Sequence, residues 1–158
     1  MRKMLLFAGV AIITMAACNN PTTKLILPTI SNADTSVRAG CFLHTLNKDS
    51  TFLELTLHNG KATGKFYWLP DQKDRANGVL EGSYAGDTVR VNYTYMIEGM
   101  LQQEEKVFVW GTDSVSVLFA PLDVNGTKMT LQKDKPLQVA IRMGRVDWAS
   151  FQIPEFKH

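Results

Sequence analysis

Val89-Arg90-Val91-Asn92-Tyr93-Thr94-Tyr95-Met96 sets Val89, Val91, Tyr93 and Tyr95 in one register and Arg90, Asn92, Thr94 and Met96 in the other. Successive side chains on a strand point to opposite faces, so this stretch predicts a sheet with one buried face. The same period runs outward in both directions. Leu53, Leu55 and Leu57 alternate with Glu54, Thr56 and His58, and Val115, Val117 and Phe119 alternate with Ser116 and Leu118. Beyond Arg38 no segment carries the stripe of an amphipathic helix.

Turn formers separate these runs. Asn59-Gly60, Asn77-Gly78, Gly86-Asp87 and Asn125-Gly126 are expected hairpin connections, because Asn and Gly accept the positive φ angles of a tight type I′ turn. Strands are predicted over 38–46, 51–58, 61–69, 78–85, 88–97, 104–111, 114–120 and 127–132, with 137–148 a further candidate. Short links favour sequential antiparallel pairing. The expected fold is therefore all-β, an antiparallel meander of about eight strands forming a closed or partly open barrel, with a β-sandwich as the alternative. Closure is favoured because it removes exposed edges. Asn59-Gly60-x-x-x-Gly64-x-Phe66 is echoed by Asn77-Gly78-x-x-x-Gly82-x-Tyr84, which reads as one hairpin design used twice.

The N-terminus has a different composition. Arg2 and Lys3 precede an almost unbroken apolar run, Met4–Ala17, which leads through Ala16 and Ala17 into Cys18. Charge, apolar stretch and small residues in that order make a secretory signal. A membrane-crossing helix needs roughly 20 apolar residues, so cleavage is expected rather than spanning. Met15-Ala16-Ala17-Cys18 resembles a lipobox, with Met15 where Leu is usual, and implies lipid attachment at Cys18. Several acyl chains at about 0.8 kcal/mol per methylene make such an anchor permanent. The expected organisation is a cleaved signal at 1–17, a lipidated cysteine and tether at 18–36, and one β-domain at 37–158. Lys24–Pro28 is a candidate docking strand within the tether.

Arg2 and Lys3 account for the whole formal charge of +2, so the chain beyond them is electrically balanced. With no basic run, a nucleic-acid partner is not expected. If Cys18 bears lipid, Cys41 is the remaining thiol. Within Ala39-Gly40-Cys41-Phe42-Leu43 it reads as an inert core residue.

Lys73-Asp74-Arg75-Ala76-Asn77-Gly78, Gly82, Gly86-Asp87-Thr88, Tyr93-Thr94-Tyr95 and Glu98-Gly99, together with the lipobox and Gly40-Cys41-Phe42, resemble a family of small uncharacterised Bacteroidetes lipoproteins. The likeness covers about residues 38–131 and implies a lipoprotein with a β-domain, without implying an activity. Family members often have a second cysteine near the C-terminus, a plausible disulfide partner for the strand cysteine, and Pro154-Glu155-Phe156-Lys157-His158 contains none. Some lipoproteins of such bacteria carry acidic residues just after the lipidated cysteine as a surface-export signal. Asn19-Asn20-Pro21-Thr22-Thr23-Lys24 has none, so an outer-membrane anchor facing the periplasm is expected, with surface exposure the alternative. Ser50, Thr88 and Ser114 follow Asp49, Asp87 and Asp113 in the Asp-Ser/Thr pattern that accepts O-glycans in exported proteins of those bacteria. The same pattern also marks a turn entering a strand.

Candidate chemistry is sparse. Cys41-x-x-His44 and His58 are soft-ligand types, but residues three apart on a strand face opposite ways and cannot easily share an ion. No metal or other cofactor is expected. No Gly-x-Ser-x-Gly elbow occurs, and the neighbours Glu104 and Glu105 face apart on a strand, unlike the converging carboxylates of a glycosidase. Glu98 reads as a turn residue. An eight-stranded barrel can hold one small ligand, and Tyr93, Tyr95, Phe108 and Trp110, with Phe66 and Trp68, could line such a cavity or simply form the core. Phe108 and Trp110 share a face that Val107 and Val109 do not, so one set is expected to face outward. The expected function is non-catalytic binding of a small apolar ligand or an envelope protein. The alternatives are a hydrolase acting on an envelope glycan or peptide, and an inhibitor of host hydrolases acting through the loop Leu69–Asn77.

Overall fold

A computed structural model of the chain describes residues 36–147. The signal segment, Cys18, Lys24–Pro28 and the C-terminal Pro154–His158 lie outside the described residues.

Ten strands follow one another: β1 Arg38–Leu46, β2 Asp49–His58, β3 Lys61–Leu69, β4 Ala76–Ala85, β5 Thr88–Ile97, β6 Met100–Trp110, β7 Ser114–Phe119, β8 Leu122–Asn125, β9 Lys128–Leu131 and β10 Gln138–Val146. β1 to β7 pair with their chain neighbours, all antiparallel. β10 then pairs with both β7 and β1, which closes an eight-stranded barrel. β8 and β9 form a hairpin outside the ring. The segment 127–132 is thus a strand that stands apart from the ring, and the closing strand comes from 137–148.

β5 shows why the ring holds. Val89, Val91, Tyr93 and Tyr95 are all buried, while Arg90, Asn92 and Met96 are exposed. In the register of the ring, Phe42, Leu53, Leu55, Leu57, Phe66, Leu80, Phe108, Val115 and Met143 join them on the inner face. Tight turns close the hairpins where expected at Asn59-Gly60 (φ 50° and 75°) and Gly86 (φ 58°), and also at Glu98-Gly99 (φ 51° and 74°). Asn77-Gly78 is not a turn. It lies within β4, paired with Tyr67 and Phe66 on one side and Met96 and Tyr95 on the other. The β3–β4 connection is the Pro70–Arg75 segment instead, so the second copy of the Asn-Gly echo is strand interior.

The two faces of β6 are both covered at its C-terminal end. Phe108 and Trp110 turn inward, yet outward-facing Val107 is also fully buried, because Ala120 and Leu131 of the external hairpin region pack over it with Leu118, Leu122 and Leu137. Val107 and Val109 are thus the set that points outward, as one of the two was expected to, but Val107 is covered rather than solvated.

Candidate functional site

The barrel interior divides into two halves. In the half reached by the β2–β3, β4–β5 and β6–β7 turns, the core is solid. Phe42 meets Trp110 edge to face at 5.2 Å. Arg145 lies over both rings, at 5.1 and 5.5 Å from their centroids. Arg38 lies over Tyr84 and Trp110, donates to Gly86 O at 2.6 Å and pairs with Asp87 at 2.8 Å. These two guanidinium groups lie within cation–π range of the aromatics and close that end.

In the other half the inner face recedes around a cavity of about 430 Å³, within the range of roughly 300–1,000 Å³ usual for small-molecule sites. Phe66, Trp68, Tyr93, Tyr95, Ile97, Val117 and Ile141 supply its apolar wall, and Thr51, Glu104 and Lys106 its polar groups. Small side chains make the room, with Ala76 on β4 and Ala140 at the β10 bulge between Val139 and Ile141. Further toward the mouth, Leu46 and Met100 occupy positions of inner-face parity and stay 61% and 51% exposed. Phe119, at the open end of β7, is 53% exposed. The apolar lining therefore continues past the cavity to an apolar rim.

Tyr93 and Tyr95 stack at 4.4 Å with 13° between their planes. Each phenol is fixed: Tyr93 Oη donates to Phe66 O at 3.0 Å, and Tyr95 Oη donates to Gln102 Oε1 at 2.9 Å. Burial pushes both phenols above their ordinary value, Tyr93 furthest, and the nearby Glu104 adds to the effect in each case. Both are neutral hydrogen-bonding groups across the physiological range.

Glu104 and Lys106 are two residues apart on β6 and so share its inner face, opposite Tyr93 and Val91 of β5. Lys106 Nζ sits 2.7 Å from Glu104 Oε1, with the side chains only 14% and 23% exposed. The ammonium also lies 5.2 and 5.4 Å from the ring centroids of Phe66 and Tyr93. Their backbone explains how charge is tolerated inside. Val107–Leu118 is the last β6–β7 rung, and beyond it β6 exchanges β7 for β9, with Gln103 and Glu104 opposite Lys128 and Met129. The pair therefore stands at a seam where the ring is locally split.

Of the expected lining residues, Tyr93, Tyr95, Phe66 and Trp68 border the cavity. Phe108 and Trp110 do not. They face inward but belong to the packed half, Phe108 fully buried and Trp110 against Phe42. Glu104 and Lys106 carried no expectation of a site, although counting back in twos from Phe108 puts both on its face. Glu105 points the other way, as its parity requires. Its Oε2 accepts from Leu131 N at 3.1 Å.

Ser50, Thr88 and Ser114 each occupy the first or second position of a strand, Thr88 exposed and the other two half-buried. Cys41 is half-buried on the outer face of β1. Burial and the adjacent Glu54 raise its thiol above the ordinary value, which leaves it protonated and weakly nucleophilic. His44 lies on the opposite face, with Nδ1 3.2 Å from Arg142 O. Among the described residues no three His, Cys, Asp or Glu side chains converge as a metal site. Of the inhibitor-loop residues Leu69–Asn77, only Asp71–Arg75 are exposed. Asp49 Oδ1 accepts from Asp71 N at 2.9 Å and holds that loop to β2.

No family model, curated protein or solved structure matches this chain.

Proposed function

We propose that the barrel is a non-catalytic carrier or sensor domain that takes up an apolar chain through its open end. On this reading the protein is an envelope lipoprotein anchored through Cys18 and facing the periplasm. The observation that carries the binding role is the division of one inner face into a plugged half and a hollow half. A folded barrel of this size can be filled to native density throughout. Here the packing stops at Phe66, Tyr93 and Val117, and the space beyond is walled by aromatic and aliphatic side chains up to an apolar rim. An empty apolar cavity forfeits dispersion contacts that an occupant would restore.

The charged groups support binding over catalysis. Glu104 is already paired with Lys106, and both tyrosine hydroxyls are committed to Phe66 O and Gln102. None of these is poised as an unpartnered acid or base. Native mass spectrometry of the chain, purified from its own host without detergent, tests the reading. A reproducible adduct that unfolding releases is the expected result. A bare chain that also fails to take up any alkyl compound added in solution overturns it.

A further inference from the structure

We propose that the ligand enters head first and carries at that end a neutral group that both accepts and donates a hydrogen bond, such as a primary alcohol or amide, on an otherwise apolar chain. This deepens the carrier reading above and rests on it. Along the β5–β6 ladder the rungs run Ile97–Met100 at the mouth, Tyr95–Gln102, Tyr93–Glu104, Val91–Lys106 and Val89–Phe108 in the packed half. Glu104 and Lys106 therefore lie at the inner end of the cavity, and the wall between them and the rim is mainly apolar.

The pair sets what can sit beside it. An ammonium has three N–H donors and a carboxylate two acceptor oxygens. Among the described residues Lys106 gives one N–H to Glu104 Oε1, and neither group has a second hydrogen-bond partner. The pair is thus neutral as a unit, with donor and acceptor capacity unspent side by side. A hydroxyl or amide satisfies both sides at once, accepting from Lys106 and donating to Glu104. A carboxylate head gains Lys106 but is set against the Glu104 charge, and an ammonium head faces the converse. Like charges brought against side chains only 14% and 23% exposed are screened less than at the open surface. The nearby Tyr93 and Tyr95 hydroxyls are neutral and already donate elsewhere, so they do not alter that balance.

The test uses the purified full chain and four compounds sharing one alkyl chain: dodecanol, dodecanamide, dodecanoate and dodecylammonium. Each displaces the neutral fluorescent probe N-phenylnaphthylamine from the cavity. Dodecanol and dodecanamide are expected to compete about tenfold more tightly than either ion, the equivalent of one charge-assisted hydrogen bond. Glu104→Gln leaves Lys106 uncompensated and brings dodecanoate level with dodecanol or ahead of it. Lys106→Met shifts the preference to dodecylammonium. Dodecanoate or dodecylammonium binding as tightly as dodecanol in the unaltered protein overturns the inference and leaves the carrier reading intact, whether or not either variant folds. Failure of the probe and of all four compounds to bind overturns the carrier reading itself.

Discussion

A Cβ built on Gly78 would collide with the Thr94 carbonyl oxygen and stand 2.7 Å from both Cα and Cβ of Tyr95. The glycine is needed because β4 and β5 approach closely just where Tyr95 turns toward the cavity, not because the backbone turns there. Gly78→Ala is expected to cost about 2–3 kcal/mol of stability in urea unfolding, the range for forcing volume into packed structure. Gly144→Ala, where an added Cβ meets nothing within 4 Å, should change it by less than about 0.5 kcal/mol. The two tyrosines make a second prediction at this scale. Their phenols hold their protons more tightly in the folded barrel than in the unfolded chain. Stability from this source is complete below the unfolded value near 10. As pH rises past it, the unfolded chain loses protons that the barrel keeps, and Tyr93 lowers stability by up to about 1.4 kcal/mol per pH unit, with Tyr95 acting in the same direction. Chemical denaturation across the alkaline range should show that decline, and Tyr93→Phe should flatten it.

At the scale of elements, alternation carried most of the fold and partnership did not. The period of two in Val89–Met96 identifies a strand and its buried face from side-chain chemistry alone, and the structure buries those residues. Which strand lies beside which is a different question. β8 and β9 are four residues each, too short for a clear period, and β9 joins β6 in parallel through Gln103 and Glu104. Asn77-Gly78 misled for a related reason, since a glycine required by close approach looks in sequence like one required by a turn. The external hairpin is held by the apolar cover over Val107 and by the Glu105 carboxylate, which accepts from the Leu131 amide. Glu105→Ala leaves that donor without its acceptor and is expected to cost about 1–2 kcal/mol. The discriminating measurement is native-state hydrogen exchange. Amides of Lys128–Leu131 should exchange faster in the variant, while those of β2 and β3, on the far side of the ring, should not.

For the whole molecule, the decisive property is depth along the barrel axis, which alternation does not encode. Tyr93, Tyr95, Phe108 and Trp110 all have inward parity, but depth follows from the register between strands, above all from β10 returning to pair with β1, the first and last strands of the described residues. The same register places Glu104 and Lys106 beside the two tyrosines and Phe108 below them. A barrel plugged at one end and hollow at the other should answer differently to volume changes in its two halves. Phe108→Ala removes a fully buried ring from the solid half and is expected to cost about 3–5 kcal/mol, with little change in affinity for dodecanol at the other end. Ala76→Phe places a ring on the cavity wall, where it occupies the space the ligand would fill. A ligand at a hundred times its Kd stabilises the folded state by about 2.7 kcal/mol, a rise in Tm of about 10 °C for a domain of this size. Thermal unfolding with and without dodecanol should show that rise in the unaltered chain and in Phe108→Ala. Ala76→Phe should fold yet lose the rise. If Ala76→Phe kept it, the binding site would lie outside the barrel, and the apolar rim of Leu46, Met100 and Phe119 would be the surface to which the ligand holds.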